Sequence, residues 1–271
     1  MDDIDIYLKE DLSNIGDITS EALFSNEKIN ANIICRERCV VAGLKEAKDI
    51  FNKLGVIITL LSKDGNLVKK ETIVAKLSGP AKSILKGERL ALNIICRMSG
   101  IATETKKLIE KCKKINPNIS ITSTRKTTPG FRKYEKKAVL IGGGELHRFG
   151  LYDAVLIKDN HIKIIGSVEK AIKKMKETLM NNKIEIEVEN EKDAITAAKL
   201  AADIIMLDNF SSKEGKIVAE KIRKINPNII IEISGGVTLE NITDYASFAD
   251  RISLGYLTHS IKSADFSLEV I

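Results

Sequence analysis

Two rhythms of apolar and polar positions divide the chain near residue 104. Before it, Ile29 to Val41 alternates or runs apolar like a strand. Val56 to Leu61 and Leu67 to Leu77 do the same on either side of Lys63-Asp64-Gly65-Asn66, a hairpin-type turn. Gly79-Pro80 ends that section. Ile84 to Cys112 then reads as helix, with Leu85, Leu92, Ile95, Ile101, Leu108 and Ile109 on or near one face and a break expected near Ser99-Gly100. Strands followed by helix predict a compact α+β domain.

From about residue 104, short apolar strands alternate with helices. The expected strands are Ile119–Thr122, Ala154–Ile157, Ile184–Val188, Ile204–Leu207, Ile229–Ile233 and Arg251–Leu254. The helices between them include Val168–Leu179, with Ser167 as N-cap, and Glu191–Ala201 after Asn190. Lys114-Ile115-Asn116-Pro117-Asn118-Ile119 recurs as Lys224-Ile225-Asn226-Pro227-Asn228-Ile229, each copy ending a helix and opening a strand. Such βα units demand a parallel sheet, as a barrel or an open doubly wound sheet.

Composition narrows the class. The chain has 271 residues, 44% hydrophobic and 30% charged, the balance of a soluble globular protein with a sizeable core. With no Trp and few aromatics, that core is built from Ile, Leu, Val and Ala. No apolar run approaches the ~20 residues that span a bilayer, and the acidic start Met1-Asp2-Asp3-Ile4-Asp5 lacks the order of a signal peptide, so a cytoplasmic location and no membrane partner are expected. Cys35, Cys39, Cys96 and Cys112 are expected to be reduced structural thiols. The net charge of +6 sits largely in Lys-rich helical faces with no interleaved aromatics, which argues against nucleic acid as a partner.

The chemistry gathers at the strand ends. Thr124, Arg125 and Lys126 follow the first strand of the second region, and Lys158, Asp159 and Asn160 follow the next. The third ends in Glu187 and Glu189, the fourth in Asp208-Asn209, the fifth in Ser234-Gly235-Gly236 and the sixth in Gly255. In a parallel α/β barrel all of these lie at the C-terminal mouth, where active sites are built. Arg125 and Arg148 can each fork around a carboxylate or phosphate, and Lys126 and Lys158 add point charges. Clustered cations are costly unless an anion sits between them. Glu187 and Asp208 suit Mg²⁺, which takes a carboxylate or two plus substrate phosphates. Ser234-Gly235-Gly236 offers backbone N–H groups as a phosphate cradle, whereas Gly142-Gly143-Gly144 reads equally as a plain turn. His147, His161 and His259 have the ordinary alternative of a structural histidine.

At these residues the sequence resembles the quinolinate phosphoribosyltransferase family. The matching motifs are Thr124-Arg125-Lys126-Thr127-Thr128-Pro129-Gly130, Gly142-Gly143-Gly144 with His147-Arg148, Leu156-Ile157-Lys158-Asp159-Asn160-His161, Leu207-Asp208-Asn209, Ser234-Gly235-Gly236 and Leu257-Thr258-His259-Ser260. Upstream, Glu10-Asp11, Gly16-Asp17-Ile18-Thr19-Ser20, Glu88-Arg89-Leu90-Ala91-Leu92-Asn93 and Ser99-Gly100-Ile101-Ala102-Thr103 also fit. Departures are small: Lys137 stands where an aromatic is common, and Phe248 replaces a small residue.

The resemblance implies an N-terminal α/β sandwich over residues 1–103, an open, incomplete TIM-like α/β barrel over 104–264, and a last strand within 265–271 that returns to the first domain. It implies a Mg²⁺-dependent pentosyltransferase of de novo NAD biosynthesis, making nicotinate mononucleotide, pyrophosphate and CO₂ from quinolinate and phosphoribosyl pyrophosphate. Arg125, Lys126, His147 and Arg148 would surround the dicarboxylate, with Thr124 beside them and Arg89 reaching in from a neighbouring subunit of a homodimer or hexamer. Lys158, Glu187 and Asp208 would serve ribose, pyrophosphate and metal, the last two holding Mg²⁺ partly through water and pyrophosphate. Ser234, Gly235, Gly236 and Gly255 would hold the 5′-phosphate, with His259 close by. Lys126, Lys158, Glu187 and Asp208 are the expected catalytic set. The rival readings are a molybdenum-transport-associated homologue, expected to lack Lys158-Asp159-Asn160-His161, a Schiff-base barrel lyase using Lys158, and a basic nucleic-acid-binding protein.

Overall fold

The computed structural model describes residues 2–179 and 182–271. In chain order it runs α1 (Asp3–Leu12), α2 (Ile18–Leu23), β1 (Lys28–Cys35), β2 (Cys39–Val40), α3 (Leu44–Lys53), β3 (Ile57–Leu60), β4 (Leu67–Val68), β5 (Thr72–Pro80) and α4 (Ala81–Lys113). Then follow β6 (Ser120–Ser123), α5 (Arg132–Ile141), β7 (Val155–Ile157), α6 (Asp159–Ile165), α7 (Val168–Thr178), β8 (Ile184–Val188) and α8 (Glu191–Lys199). The chain ends with β9 (Ile204–Asp208), α9 (Ser212–Ile225), β10 (Ile230–Ser234), α10 (Ile242–Ala246), β11 (Arg251–Leu254), α11 (Tyr256–His259) and β12 (Phe266–Val270).

These elements form two compact units. The first holds the chain up to Lys106, Pro129–Gly143 and Ser260–Ile271; the second holds Lys107–Thr128 and Gly144–His259. The chain therefore passes between units more than once, where the apolar rhythm suggests a single change.

The first unit contains an antiparallel sheet in the order β12-β1-β5-β3, with Phe266 opposite Cys35 and Val270 opposite Ala31. Ile33, Val74, Ala75 and Leu77 of this sheet pack with Ile94, Ile95 and Met98 of α4 in one buried core. Two local expectations are corrected. The run Val56 to Leu61 pairs antiparallel with the far part of the run Leu67 to Leu77, as β3 with β5, but the turn at Lys63–Asn66 does not close a tight hairpin, because β4 pairs with β2. Its hydrogen bonds explain this: Asp64 Oδ1 accepts the Leu44 N–H at 2.9 Å, and Gly65 and Asn66 exchange backbone bonds with Val41. Nor does α4 break at Ser99-Gly100. A Cβ at Gly100 would lie 2.3 Å from Lys262 O, so this glycine admits a close backbone approach rather than ending the helix. Ser99 Oγ meanwhile bonds Ala42 N and O.

The second unit is the barrel. Its parallel sheet has the order β6-β11-β10-β9-β8-β7, and β6 and β7 stand at the two edges, which leaves the barrel open. Helices α7, α8 and α9 bury Val168, Ala171, Ala194, Ala197, Val218 and Ile222 in the core with Ile186, Ile205, Leu207 and Ile231. Ser167 and Asn190 cap α7 and α8, accepting from Lys170 N and Asp193 N. The repeated Asn-Pro-Asn segments are two copies of one device: Asn116 Oδ1 and Asn226 Oδ1 each accept the N–H two residues on, both at 3.0 Å. Each turn brings the chain from a helix end into β6 or β10 at the N-terminal face, so the opposite strand ends face one mouth.

Candidate functional site

A cavity of about 610 Å³ opens at the C-terminal ends of the barrel strands, in the size range of small-molecule sites. Thr124, Arg125 and Lys126 reach it from beyond β6, His147 and Arg148 from the segment before β7, and Lys158, Glu187 and Asp208 from the ends of β7, β8 and β9. Ser234, Gly235 and Gly236 follow β10, Gly255 follows β11, and His259 lies on α11. Every barrel residue to which the resemblance gives a substrate or metal role therefore lines one cavity, whereas the strand-end residues Asp159, Asn160 and Glu189 do not. Arg89 is exposed on α4 of the first unit.

The cationic side has unmet capacity. Arg125 Nε is buried with no hydrogen-bond partner among the described residues. Burial, and then the neighbouring Arg125 charge, push Arg148 below the usual guanidinium range, and Glu185, Asp153 and Glu187 offset this only in part. Lys126 is held through its backbone: its N–H donates to Thr124 Oγ1 at 3.0 Å and its carbonyl accepts from Thr258 Oγ1 at 2.7 Å. Gly255 packs beneath it, where a Cβ would lie 3.0 Å from Lys126 Cδ and 3.2 Å from His259 Nε2.

The other side carries the acids. Lys158 Nζ and Glu187 Oε2 form an ion pair across adjacent strand ends. Asp208 Oδ2 accepts from Asn209 Nδ2 at 2.7 Å, which orients the carboxylate. Asn209 has a left-handed backbone (φ 59°), and its N–H donates to Ser234 O at 3.0 Å. Gly235 and Gly236 are left-handed in succession, φ 78° and 63°, which exposes backbone N–H groups of the kind that cradle anions. By contrast, Gly142–Gly144 does not line the cavity. There Gly142 fits against Ala102 and Thr105, and Gly143 turns with φ 91°.

The histidines divide by role. His161 Nδ1 accepts the Lys158 N–H at 2.9 Å at the start of α6, so it caps a helix. His147 lines the cavity, yet Nδ1 accepts the Arg148 N–H at 2.9 Å and Nε2 lies 3.0 Å from Glu185 Oε2 and 3.5 Å from Glu232 Oε1. Arg251 Nη1 donates to the other Glu232 oxygen at 3.1 Å. Burial, and then the Glu185 charge, push the Glu232 carboxyl up.

Sequence reading missed Glu185, Glu232 and Arg251, and it named Asn209 at its strand end without giving it a role. Glu185 had a signal, since it shares a strand face with Glu187 at period two. Glu232 lies inside an apolar strand pattern, and its partners come from strands distant in sequence. Glu189, noted with Glu187, is exposed just past the strand.

Comparison with known proteins finds relatives over nearly the whole chain. Residues 17–99 match the family model "Quinolinate phosphoribosyl transferase, N-terminal domain", and residues 101–269 match the corresponding C-terminal domain. The chain is 44% identical over 259 residues to a probable nicotinate-nucleotide pyrophosphorylase [carboxylating] of Archaeoglobus fulgidus, covering 94% of this chain and 98% of the relative. It is 42% identical over 270 residues to the probable enzyme of the same name from Bacillus subtilis, covering 97% and 91%. The crystal structure of nicotinate-nucleotide pyrophosphorylase from Ehrlichia chaffeensis superposes with a TM-score of 0.94 at 37% identity, covering 99% of this chain and 97% of that one. With both domain models matched in order and a cation-lined cavity at the barrel mouth, the chain belongs to the quinolinate phosphoribosyl transferase family.

Proposed function

We propose that this chain transfers the phosphoribosyl group of phosphoribosyl pyrophosphate to the ring nitrogen of quinolinate and releases the C2 carboxylate as CO₂. The products are nicotinate mononucleotide and pyrophosphate, and the reaction belongs to de novo NAD biosynthesis. The observation that carries this reading is the pair Arg125 and Arg148: one with a buried guanidinium nitrogen that makes no hydrogen bond among the described residues, the other burdened by its neighbour's charge. A dicarboxylate satisfies both at once. Lys126 lies beside them, and His147 forms the wall behind Arg148.

The donor half lies across the cavity. Ser234-Gly235-Gly236 and Gly255 receive the 5′-phosphate with His259 at the rim, while Lys158, Glu187 and Asp208 face ribose and pyrophosphate. Departure of pyrophosphate gives the ribose oxocarbenium character. Fixed cations at the leaving group stabilise the negative charge that develops on the departing pyrophosphate, by about 3 kcal/mol for each well-placed donor. Once the ring nitrogen is alkylated, its positive charge stabilises the carbanion left at C2 by loss of CO₂, and a proton from water completes the product. Lys158 acts as a binding cation, since its ammonium is already paired with Glu187.

Asp208 and Glu187 fit Mg²⁺: both present carboxylate oxygens to the cavity, and Asn209 leaves one Asp208 oxygen uncommitted. The ion would be held partly through water and pyrophosphate, and it would supply charge neutralisation at the leaving group. We further propose a homodimer or larger assembly in which Arg89 of one protomer completes the dicarboxylate grip of its partner. A cytoplasmic location is proposed as well; no described helix is long and apolar enough to cross a membrane.

The deciding assay is quinolinate-dependent release of CO₂ and pyrophosphate, with and without Mg²⁺. Both products are expected in equal amounts. Turnover of nicotinate but not quinolinate would overturn the substrate assignment.

A further inference from the structure

Behind the cation wall lies a buried group that the reaction above does not use. His147 Nε2, Glu185 and Glu232 bring ligand-type atoms within 4.8 Å of one another. An ion there would need the Nε2 lone pair. The Arg148 N–H already points at Nδ1 from 2.9 Å, which assigns the ring hydrogen to Nε2, and Arg251 offsets the charge of Glu232. The cluster is therefore a hydrogen-bonded support, with the imidazole donating to carboxylate and accepting from the backbone of Arg148.

We propose that Glu185 is a positioning residue: it accepts from His147 Nε2 and holds the ring so that its Nδ1 fixes the Arg148 backbone, and this aims the Arg148 guanidinium at the substrate dicarboxylate, with Glu232 adding charge 3.5 Å from the same nitrogen. The proposal rests on the reading of Arg148 as a carboxylate clamp. Three observations support it. Both ring nitrogens of His147 are engaged within the protein, so the ring offers the cavity a fixed wall and no second cation. The Glu185 carboxylate also acts directly on Arg148, favouring its charged form against burial and the Arg125 charge. The same device recurs one strand away, where His161 Nδ1 accepts the backbone N–H of Lys158. Two cations of the site are thus held through their backbones by imidazole acceptors, a support of the outer-partner kind that orients groups touching a ligand.

The test compares Glu185→Leu, Glu185→Gln and Arg148→Ala in steady-state kinetics with both substrates varied. Glu185→Leu removes the acceptor for Nε2–H and should raise KM for quinolinate tenfold or more, the order that outer partners contribute at metal sites. KM for phosphoribosyl pyrophosphate should move by less than about twofold. Glu185→Gln keeps an acceptor oxygen and should restore most of the quinolinate KM. Equal changes for both substrates, or no change, would overturn the proposal. If Arg148→Ala leaves the quinolinate KM unchanged, the clamp reading falls and the positioning role with it. If Arg148→Ala raises that KM and Glu185→Leu does not, only the positioning role falls. Imidazole ¹⁵N NMR of the unsubstituted protein gives a measurement independent of any variant's folding, with the His147 signal identified by its loss in His147→Asn. Nδ1 should be the unprotonated nitrogen, and a proton on Nδ1 would sink the idea.

Discussion

Asn209 packs so tightly against Gly235 that a Cβ on Gly235 would lie 2.2 Å from Asn209 Oδ1. The same asparagine orients Asp208 and bonds the Ser234 carbonyl, so one residue ties the acidic strand end to the proposed phosphate cradle. Gly235→Ala adds a methyl at that contact and also strains a backbone with φ 78°. Its kcat/KM for phosphoribosyl pyrophosphate should fall by about 100-fold or more, as expected when a binding geometry shifts by an ångström, with far-ultraviolet circular dichroism unchanged. Wild-type kinetics in this variant would remove the cradle from the site.

Lys158 is paired with Glu187, and Arg148, Lys126 and Arg125 share its cavity. A Schiff-base lysine needs a desolvated, neutral amine without such a partner. Borohydride added during turnover should therefore leave no adduct on Lys158 by peptide mass spectrometry. Lys158→Met should still lose activity by about 100-fold through lost binding charge. A trapped adduct would move the chain to another reaction class.

The proposed contribution of Arg89 across a subunit boundary has a direct test. Arg89→Ala and Arg148→Ala should each be nearly inactive alone. Mixed under conditions that exchange subunits, they generate hybrids in which one site carries neither lesion, with up to about a quarter of wild-type activity for a randomly mixed dimer. Exchange demonstrated by mass spectrometry without recovered activity would keep Arg89 out of its partner's site.

Tyr134 sets a pH limit on the first unit. Its ring stacks near Phe131 at 4.8 Å, and burial pushes its hydroxyl up to about 12 from the usual 10. Below pH 10 the hydroxyl is protonated in folded and unfolded chains alike, and its contribution to stability is fully present. Between pH 10 and 12 the unfolded chain gives up this proton while the folded one keeps it, so stability falls as pH rises. The melting temperature of Tyr134→Phe should decline less across that window than that of the unsubstituted protein. Parallel declines would mean that other groups control alkaline unfolding.

Much of the architecture was legible because it is periodic. Ile184–Val188 and Arg251–Leu254 have the bounds their apolar runs announce, and the other barrel strands differ by a residue or two at their ends. The helix caps at Ser167 and Asn190 follow from side chains whose acceptors reach only the next turn. The misread places share one cause. At Lys63–Asn66 and Ser99-Gly100, turn-forming residues serve contacts from Leu44, Val41 and Lys262, which local pattern does not contain.

The sequence by itself determined the βα rhythm, the residue types at the strand ends and the family motifs, since each is a local property of a few consecutive positions. The shared mouth expected for Arg125, Arg148, Lys158, Glu187, Asp208 and Gly235 is present as one cavity, and only the tertiary structure decided that Asn209 packs on Gly235 and that His147 meets Glu185 and Glu232 behind it. Those contacts join strands through sheet register and barrel curvature, and the free energy of a buried charge depends on which neighbours that packing supplies.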